Sequence, residues 1–310
     1  ADSTLDKTTQ ALQRVRELAV QASNDTYEPT QRANIAKEIE QLRQHIESMA
    51  NTKTNNKYIF NGTDTLNPPV DTKLMDVGVQ QIKEFANPAS VEMAFDGKVY
   101  QYVSADNRPV ENGPYPVNGF VFKVNDKDFI TVSANDEITH FSVNQDNQTG
   151  PLVPTILKER DVVVSETKAV STNNQDVELE LLKGVNLSVN IRPQNVFNNA
   201  LFGDILRLEK ALKDPATKGQ DITKLLGNLD KHINNVVSER AELGARINRA
   251  EMIDSRLMEQ QVIAQRIMSN NEDVDLERVI IDLTTQESVH RAALAAGARI
   301  MQPTLMDFLR

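Results

Sequence analysis

The residue pattern predicts an α+β protein: an elongated antiparallel α-helical coiled-coil rod formed by the N- and C-terminal arms, with an antiparallel β domain inserted between them. Three observations carry this expectation. Apolar residues recur in alternating steps of four and three along a long C-terminal stretch, the first fifty residues hold two one-sided helical patterns, and the period changes to two between Tyr58 and Phe197.

The first arm opens with Leu5, Leu12, Val15, Leu18, Ala19 and Ala22, an apolar stripe that Ser23-Asn24-Asp25 interrupts, with Asn24 suited to a C-cap. Pro29 fits the first turn of a second helix, where its missing N–H costs nothing. Ile35, Ile39, Leu42, Ile46 and Met49 then step by four, three, four and three and give that helix a narrow seam over about 20 residues.

In the middle of the chain, Val91–Phe95 and Val99–Val103 flank Asp96-Gly97, which supplies the positive φ angles of a type I′ hairpin turn. Phe120–Val124 and Phe129–Val132 flank Asn125-Asp126-Lys127-Asp128, and further strands are expected at 161–164, 177–182 and 185–191. Gly62–Asp71, with Pro68-Pro69, reads as the exit from the rod and Arg192-Pro193-Gln194-Asn195 as the return. Pro151 and Pro154 predict a loop after Gly150, and no element is assigned from there to Arg160.

The returning arm carries the longest pattern. Ile222, Leu226, Leu229, Ile233, Val236, Arg240, Leu243, Ile247, Ala250, Asp254, Leu257, Gln261, Ala264 and Met268 alternate steps of four and three, and only Arg240, Asp254 and Gln261 are not apolar. A seam this long needs a partner helix, and the first arm is the available one. Arg240 and Asp254 either specify register or face water where the seam drifts; the second reading is preferred. Beyond it, Leu276, Val279, Ile280, Leu283, Leu294, Ile300, Leu305 and Phe308 form an apolar face, and Ala292-Ala293 with Ala295-Ala296-Gly297-Ala298 permit close helix approach. The expected division is 1–64 plus 196–270 as a discontinuous helical rod, 65–195 as the β insert, and 271–310 as a terminal helix. Because the chain opens at Ala1 within a helical pattern and without Met, that helix is expected to lack an N-terminal mate.

Composition narrows the function. A chain of 310 residues suits about two domains, and a formal charge of −10 gives phosphate binding no electrostatic support. No apolar run is long enough to span a membrane, and the absence of Cys removes disulfides, thiolate metal sites and cysteine nucleophiles. His45, His140, His232 and His290 are dispersed, none at ligand spacing to another, so no metal site is expected. Asn125–Asp128 lacks the Gly and Glu of a calcium loop and reads as a turn. Asn24-Asp25-Thr26 and Asn61-Gly62-Thr63 fit the glycan acceptor triplet, a pattern common by chance. Glu272, Asp273 and Asp275 favour a helix N-terminus. No catalytic residue, cofactor or nucleotide motif emerges, and an enzyme is not expected.

Leu12-Gln13-Arg14-Val15-Arg16-Glu17-Leu18-Ala19-Val20-Gln21-Ala22-Ser23-Asn24, then Ile35-Ala36-Lys37-Glu38-Ile39 and Asn55-Asn56-Lys57-Tyr58-Ile59-Phe60-Asn61-Gly62, resemble the rod segment of bacterial flagellins and their relatives. Arg240-Ala241-Glu242-Leu243-Gly244-Ala245-Arg246-Ile247-Asn248-Arg249 resembles the family's returning helix. The tail Ala298–Leu309, with Asp273-Val274-Asp275 and Leu283-Thr284-Thr285-Gln286-Glu287, is similar to the hook-associated protein 3 type, the subgroup at the hook–filament junction. The resemblance implies a structural protein of the flagellum that is exported by the flagellar type III system with a chaperone and lies outside the cell. Implied partners are hook-associated protein 1, flagellin and further copies in a ring, and the expected roles are filament assembly and motility. A filament flagellin is the alternative, and a coiled-coil adhesin or scaffold with a β head is a remoter one.

The resemblance also implies subunit contacts. Arg14, Leu18 and Gln21, with Glu38 on the next helix, stand at positions similar to a flagellin surface read by neighbouring subunits and by an innate immune receptor; subunit packing is the preferred role. Leu283, Leu294, Leu305, Phe308 and Leu309 are expected to pack on other subunits, leaving the tail mobile or partnered elsewhere in the isolated chain.

Overall fold

The structure is a computed structural model that describes residues 1–24, 26–104, 119–143, 151–272 and 275–301, Met301 through its backbone alone. Helices α1 (Asp2–Ala22), α2 (Pro29–Ala50), α3 (Pro193–Val196), α4 (Asn199–Lys213), α5 (Gly219–Glu272) and α6 (Leu276–Met301) flank or follow the strands. In chain order these are β1 (Lys53–Thr54), β2 (Lys57–Tyr58), β3 (Val91–Phe95), β4 (Lys98–Tyr102), β5 (Phe120–Asn125), β6 (Asp128–Val132), β7 (Ile138–Val143), β8 (Leu152–Leu157), β9 (Val163–Glu166), β10 (Glu178–Leu182) and β11 (Val185–Ser188). Helical terminal arms with an inserted antiparallel sheet are the predicted fold class. The chain divides into two units, Ala1–Ala250 and Glu251–Arg310.

In the first unit, α1 buries Leu5, Leu12, Val15, Leu18, Ala19 and Ala22, the stripe that its spacing marks out. Ser23 closes this helix, its N–H reaching the Ala19 carbonyl and the Asn24 N–H the Gln21 carbonyl, while Asn24 Oδ1 accepts from the Thr26 N–H. A capping box between Glu28 and Gln31, with Pro29 behind it, starts α2. Asn55 and Asn56, at φ 51° and 61°, form the two-residue turn between β1 and β2. Asparagine tolerates this left-handed backbone, which explains the Asn-Asn before Lys57-Tyr58.

Helix α4 is the centre of this unit. Every residue in it is buried except Lys210 and Lys213, because one side packs on α2 and the other on β3, β4 and β9. Gly203 lies against Ala94 of β3 so closely that an added methyl would collide with the Ala94 side chain. Asn198 caps α4 by accepting from the Leu201 N–H, and the helix ends at Asp214, before Pro215. The sequence reading placed 196–270 in the helical arm without resolving this helix from α5.

The sheet runs β8-β7-β6-β5-β4-β3-β9, antiparallel throughout. Asp96 and Gly97, at φ 49° and 73°, make the expected tight turn between β3 and β4. Asn125–Asp128 closes the β5–β6 hairpin. Two strands of this sheet escaped the sequence reading. β7 was not assigned, and β8 occupies the stretch expected to be a loop: Pro154 is accommodated opposite Phe141 because β8 is the sheet edge, where an imino nitrogen can face outward without breaking the ladder. One face packs Met93, Tyr100, Phe122, Ile130 and Val164 under the segment that contributes Val79 and Ile82. The other face presents Ala94 and Val163 to the helices.

The seam of α5 is buried or half-buried from Ile222 to Leu243. Arg16 pairs with Asp230 at 2.5 Å, and Arg240 pairs with Asp2 at 2.7 Å and with Asp6, so α1 and α5 run antiparallel. Arg240 is thus a register contact rather than the water-facing residue preferred from sequence; Asp254 is exposed. Burial of the seam stops at the level of the first turn of α1, and Ile247 is already 44% exposed.

In the second unit, Asp275 caps α6 by accepting from the Arg278 N–H at 3.3 Å. Glu272 ends α5, and Asp273 lies outside the described residues. All described side chains here are exposed save Ile253, which is half-buried.

Candidate subunit interfaces

The α1–α2 surface is built from helix spacing. Arg14 projects from α1 beside α2 and donates to Glu38 Oε1 from Nη2 at 2.8 Å and from Nε at 3.0 Å, and to Glu17 from Nη1 at 3.1 Å. The Glu38 and Glu17 carboxylates hold the guanidinium pKa above its ordinary value. Gln21 Nε2 donates to the Tyr27 hydroxyl at 2.8 Å and braces the loop after α1. Leu18 does not belong to this surface. Only 2% of it is exposed, because its place on the α1 stripe turns it into the helical core with Leu12, Val15 and Ile39. Arg14, Gln21 and Glu38 remain on the outside, already tied to one another or to the adjoining loop.

One joint holds three helix ends together. Arg32 is buried and donates from Nε to the Ala22 carbonyl at 3.2 Å, from Nη2 to the Asn24 carbonyl at 3.3 Å, and from Nη1 to the Thr217 carbonyl at 2.8 Å. One guanidinium thus satisfies carbonyls at the end of α1 and before the start of α5, groups that burial would otherwise leave costly.

The larger candidate surface lies on residues 251–301. Leu283 and Leu294 are 65% and 61% exposed, and Leu276, Val279, Ile280 and Ile300 are also exposed. Leu305, Phe308 and Leu309 lie outside the described residues. The end of α5 adds a feature that the seam reading missed. At about 100° per residue, Leu257, Ala264 and Met268 hold one face, Met252, Ile263 and Ile267 a second, and Met258 and Val262 a third, roughly 110–130° apart. Every one of them is exposed. The missing signal was the set of apolar residues off the heptad positions, since a helix that is apolar on all sides is one designed to be buried on all sides.

Two polar clusters sit inside the first unit, and sequence spacing showed neither. Asp128 accepts from Lys98 Nζ at 2.5 Å, from the Tyr100 hydroxyl at 2.8 Å and from His140 Nε2 at 2.8 Å. Burial alone would raise its pKa, but the hydrogen bonds from His140, Lys98 and Tyr100 outweigh it and hold the carboxyl well below the usual range. Burial, then the bond to Asp128, pushes the Tyr100 phenol up. Asp204 of α4 accepts from the Gly97 N–H at 3.2 Å, Arg207 Nη1 at 2.9 Å and His232 Nε2 at 2.9 Å, which clips the β3–β4 turn to α4 and α5. These carboxylates are fully engaged and join elements. No group of His, Asp and Glu among the described residues has the geometry of a metal site, and no described helix is long and apolar enough to cross a membrane. Asn61 is 1% exposed and donates to the Asn67 carbonyl at 2.9 Å, so that acceptor triplet is closed to a glycan.

Known proteins are similar to this chain, most clearly at its two helical ends. The bacterial flagellin N-terminal helical region matches residues 1–65, and the bacterial flagellin C-terminal helical region matches residues 226–309. A flagellin of Clostridium tyrobutyricum is 27% identical over 98% of this chain and 80% of its own length. Flagellar hook-associated protein 3 of Escherichia coli strain K12 is 23% identical over 95% of this chain and 72% of its own. A solved structure from Vibrio parahaemolyticus, assigned as a flagellar hook-associated protein, shares the fold with a TM-score of 0.52 at 14% identity, covering 87% of this chain and 82% of that one.

Proposed function

Since the chain belongs to the flagellin family and is a structural component of the bacterial flagellum that associates with other flagellar components, we propose that it is a junction subunit of the hook-associated protein 3 type. In this reading a ring of copies joins hook-associated protein 1 to the first flagellin subunits, and filament assembly and motility depend on it. The chain reaches this extracellular position through the flagellar type III system with an export chaperone.

The observation that carries the reading is the uncovered apolar surface of 251–301. Burying a Leu or Ile side chain contributes about 1.5–3 kcal/mol, so a few such contacts with neighbouring subunits offset the ordering cost of one chain end. The mechanism is then mechanical: residues 1–64 with 196–270 form a helical adaptor, 65–195 a β insert, and 271–310 the part that becomes ordered in the assembly. Arg14, Gln21 and Glu38 supply a second, charged contact on the side of the adaptor, and Leu283, Leu294, Leu305, Phe308 and Leu309 the apolar one.

Cryo-electron microscopy of purified flagella tests the assignment. Density for this chain confined to a short ring at the hook end is expected. Density along the whole filament would replace the reading with a filament flagellin, the alternative that the identity to the Clostridium protein favours. Hydrogen exchange tests the ordering: 276–301 should exchange freely in dilute chain and be protected in flagella. Uniform protection in the dilute chain would contradict it.

A further inference from the structure

Of the eight methionines, the six whose side chains the structure describes divide by environment. Met49, Met75 and Met93 are 5%, 6% and 0% exposed, whereas Met252, Met258 and Met268 are 66%, 58% and 57% exposed. All three exposed residues lie within twenty positions at the end of α5, in the second unit. Their spacing of six and ten residues puts them roughly 80–160° apart around the helix, one on each apolar face. Whatever packs against this stretch covers at least one thioether.

We propose that Met252, Met258 and Met268 are oxidative modification sites, and that their conversion to sulfoxide by hydrogen peroxide blocks incorporation of the chain into the flagellum. The chemistry balances without a cofactor. The sulfur lone pair attacks one peroxide oxygen, the O–O bond breaks, the S–O bond forms, and water leaves after proton transfer; sulfur is oxidised by two electrons and peroxide is reduced. The product exchanges a flexible apolar group for a strongly polar one, and a sulfoxide buried without a partner is costly. Because the thioethers occupy three faces, the modification spoils packing from any side. Once covered by neighbouring subunits, the same sulfurs are shielded, so the chain is vulnerable only before assembly. This consequence rests on the reading that 251–301 is buried between subunits.

The experiment treats the full chain with dilute hydrogen peroxide, follows each methionine by peptide mass spectrometry, and assays addition to hooks of cells lacking the endogenous chain. Met252, Met258 and Met268 should oxidise about tenfold or more faster than Met49, Met75 and Met93, as expected when reactivity follows exposure. Incorporation should fall in parallel and return after treatment with methionine sulfoxide reductases. The variant M252L/M258L/M268L keeps the apolar volume and should incorporate normally before and after peroxide. If the oxidised wild-type chain incorporates as well as the reduced one, or the triple variant remains peroxide-sensitive, the proposal falls. Loss of the reading that 251–301 is buried between subunits shows separately: reduced chain bearing L283D and L294D would then still incorporate.

Discussion

One helix, α5, behaves in two ways. From Ile222 to Leu243 its seam is covered by the other helices, and Leu229 and Val236 are 1% and 0% exposed. From Met252 to Met268 its apolar residues stand in water, on three faces rather than one. The first stretch pairs one narrow stripe with a known partner, as a coiled-coil seam should. The second is too apolar for a free surface and too broad for a single partner. The same heptad spacing therefore has two meanings, and the residues between the heptad positions decide which applies: Asn234, Glu239 and Glu242 in the first stretch, Met258, Ile263 and Ile267 in the second.

The comparison can be broken most directly by truncation. Phe202→Ala, which empties the fully buried centre of α4, should cost about 3–5 kcal/mol in chemical denaturation. Ile263→Ala in the isolated chain should cost less than about 0.5 kcal/mol, the scale of an ordinary surface change. Comparable losses at both sites would mean that the end of α5 is covered even in the monomer.

Next comes the buried ion pair of Arg43 and Glu209, at 2.7 Å with side chains 12% and 5% exposed. Burial raises the Glu209 pKa and Arg43 lowers it in part. Arg43→Met leaves the carboxylate unpaired and should cost about 3 kcal/mol at neutral pH. The loss should shrink as pH falls toward the ordinary glutamate range, because the folded state then takes up a proton that the unfolded chain does not yet bind. A pH-independent loss would show that Glu209 is not the group responsible. Gly203→Ala, by overpacking against Ala94, should follow at about 1–3 kcal/mol.

The wild-type pH profile sharpens the picture further. Glu92, raised by burial against the bond from Asn199, makes the fold more stable as pH drops from neutral toward the unfolded glutamate value. Asp128, held low, contributes stability that is present above the unfolded aspartate pKa and lost as pH falls below it. Glu92→Gln should remove the first slope and Asp128→Asn the second, read as Tm against pH by calorimetry. The smallest effect is expected for Arg240→Ala: its ion pairs with Asp2 and Asp6 are exposed, so any change in Tm should vanish at high salt.

Much of the fold was legible because its signals are local. Pro29 and the Asp96-Gly97 turn act through their own backbone preferences, and the α1 and α2 stripes through helical periodicity. β8 was not legible, since Pro154 argues against a strand until its edge position is known. Leu18 was misplaced for the opposite reason: resemblance put it on a surface, while its own spacing with Leu5, Leu12 and Val15 belonged to the core.

By itself the sequence determined the helical arms, the antiparallel insert and the existence of a seam, because each follows from the period of apolar residues or from the φ that a turn residue accepts. Only the tertiary structure decided that α4 is the buried centre, that Arg240 answers Asp2 and Asp6, and that Asp128 gathers Lys98, Tyr100 and His140. Those contacts join residues far apart in the chain, and no local propensity specifies which distant partner a buried polar group will find.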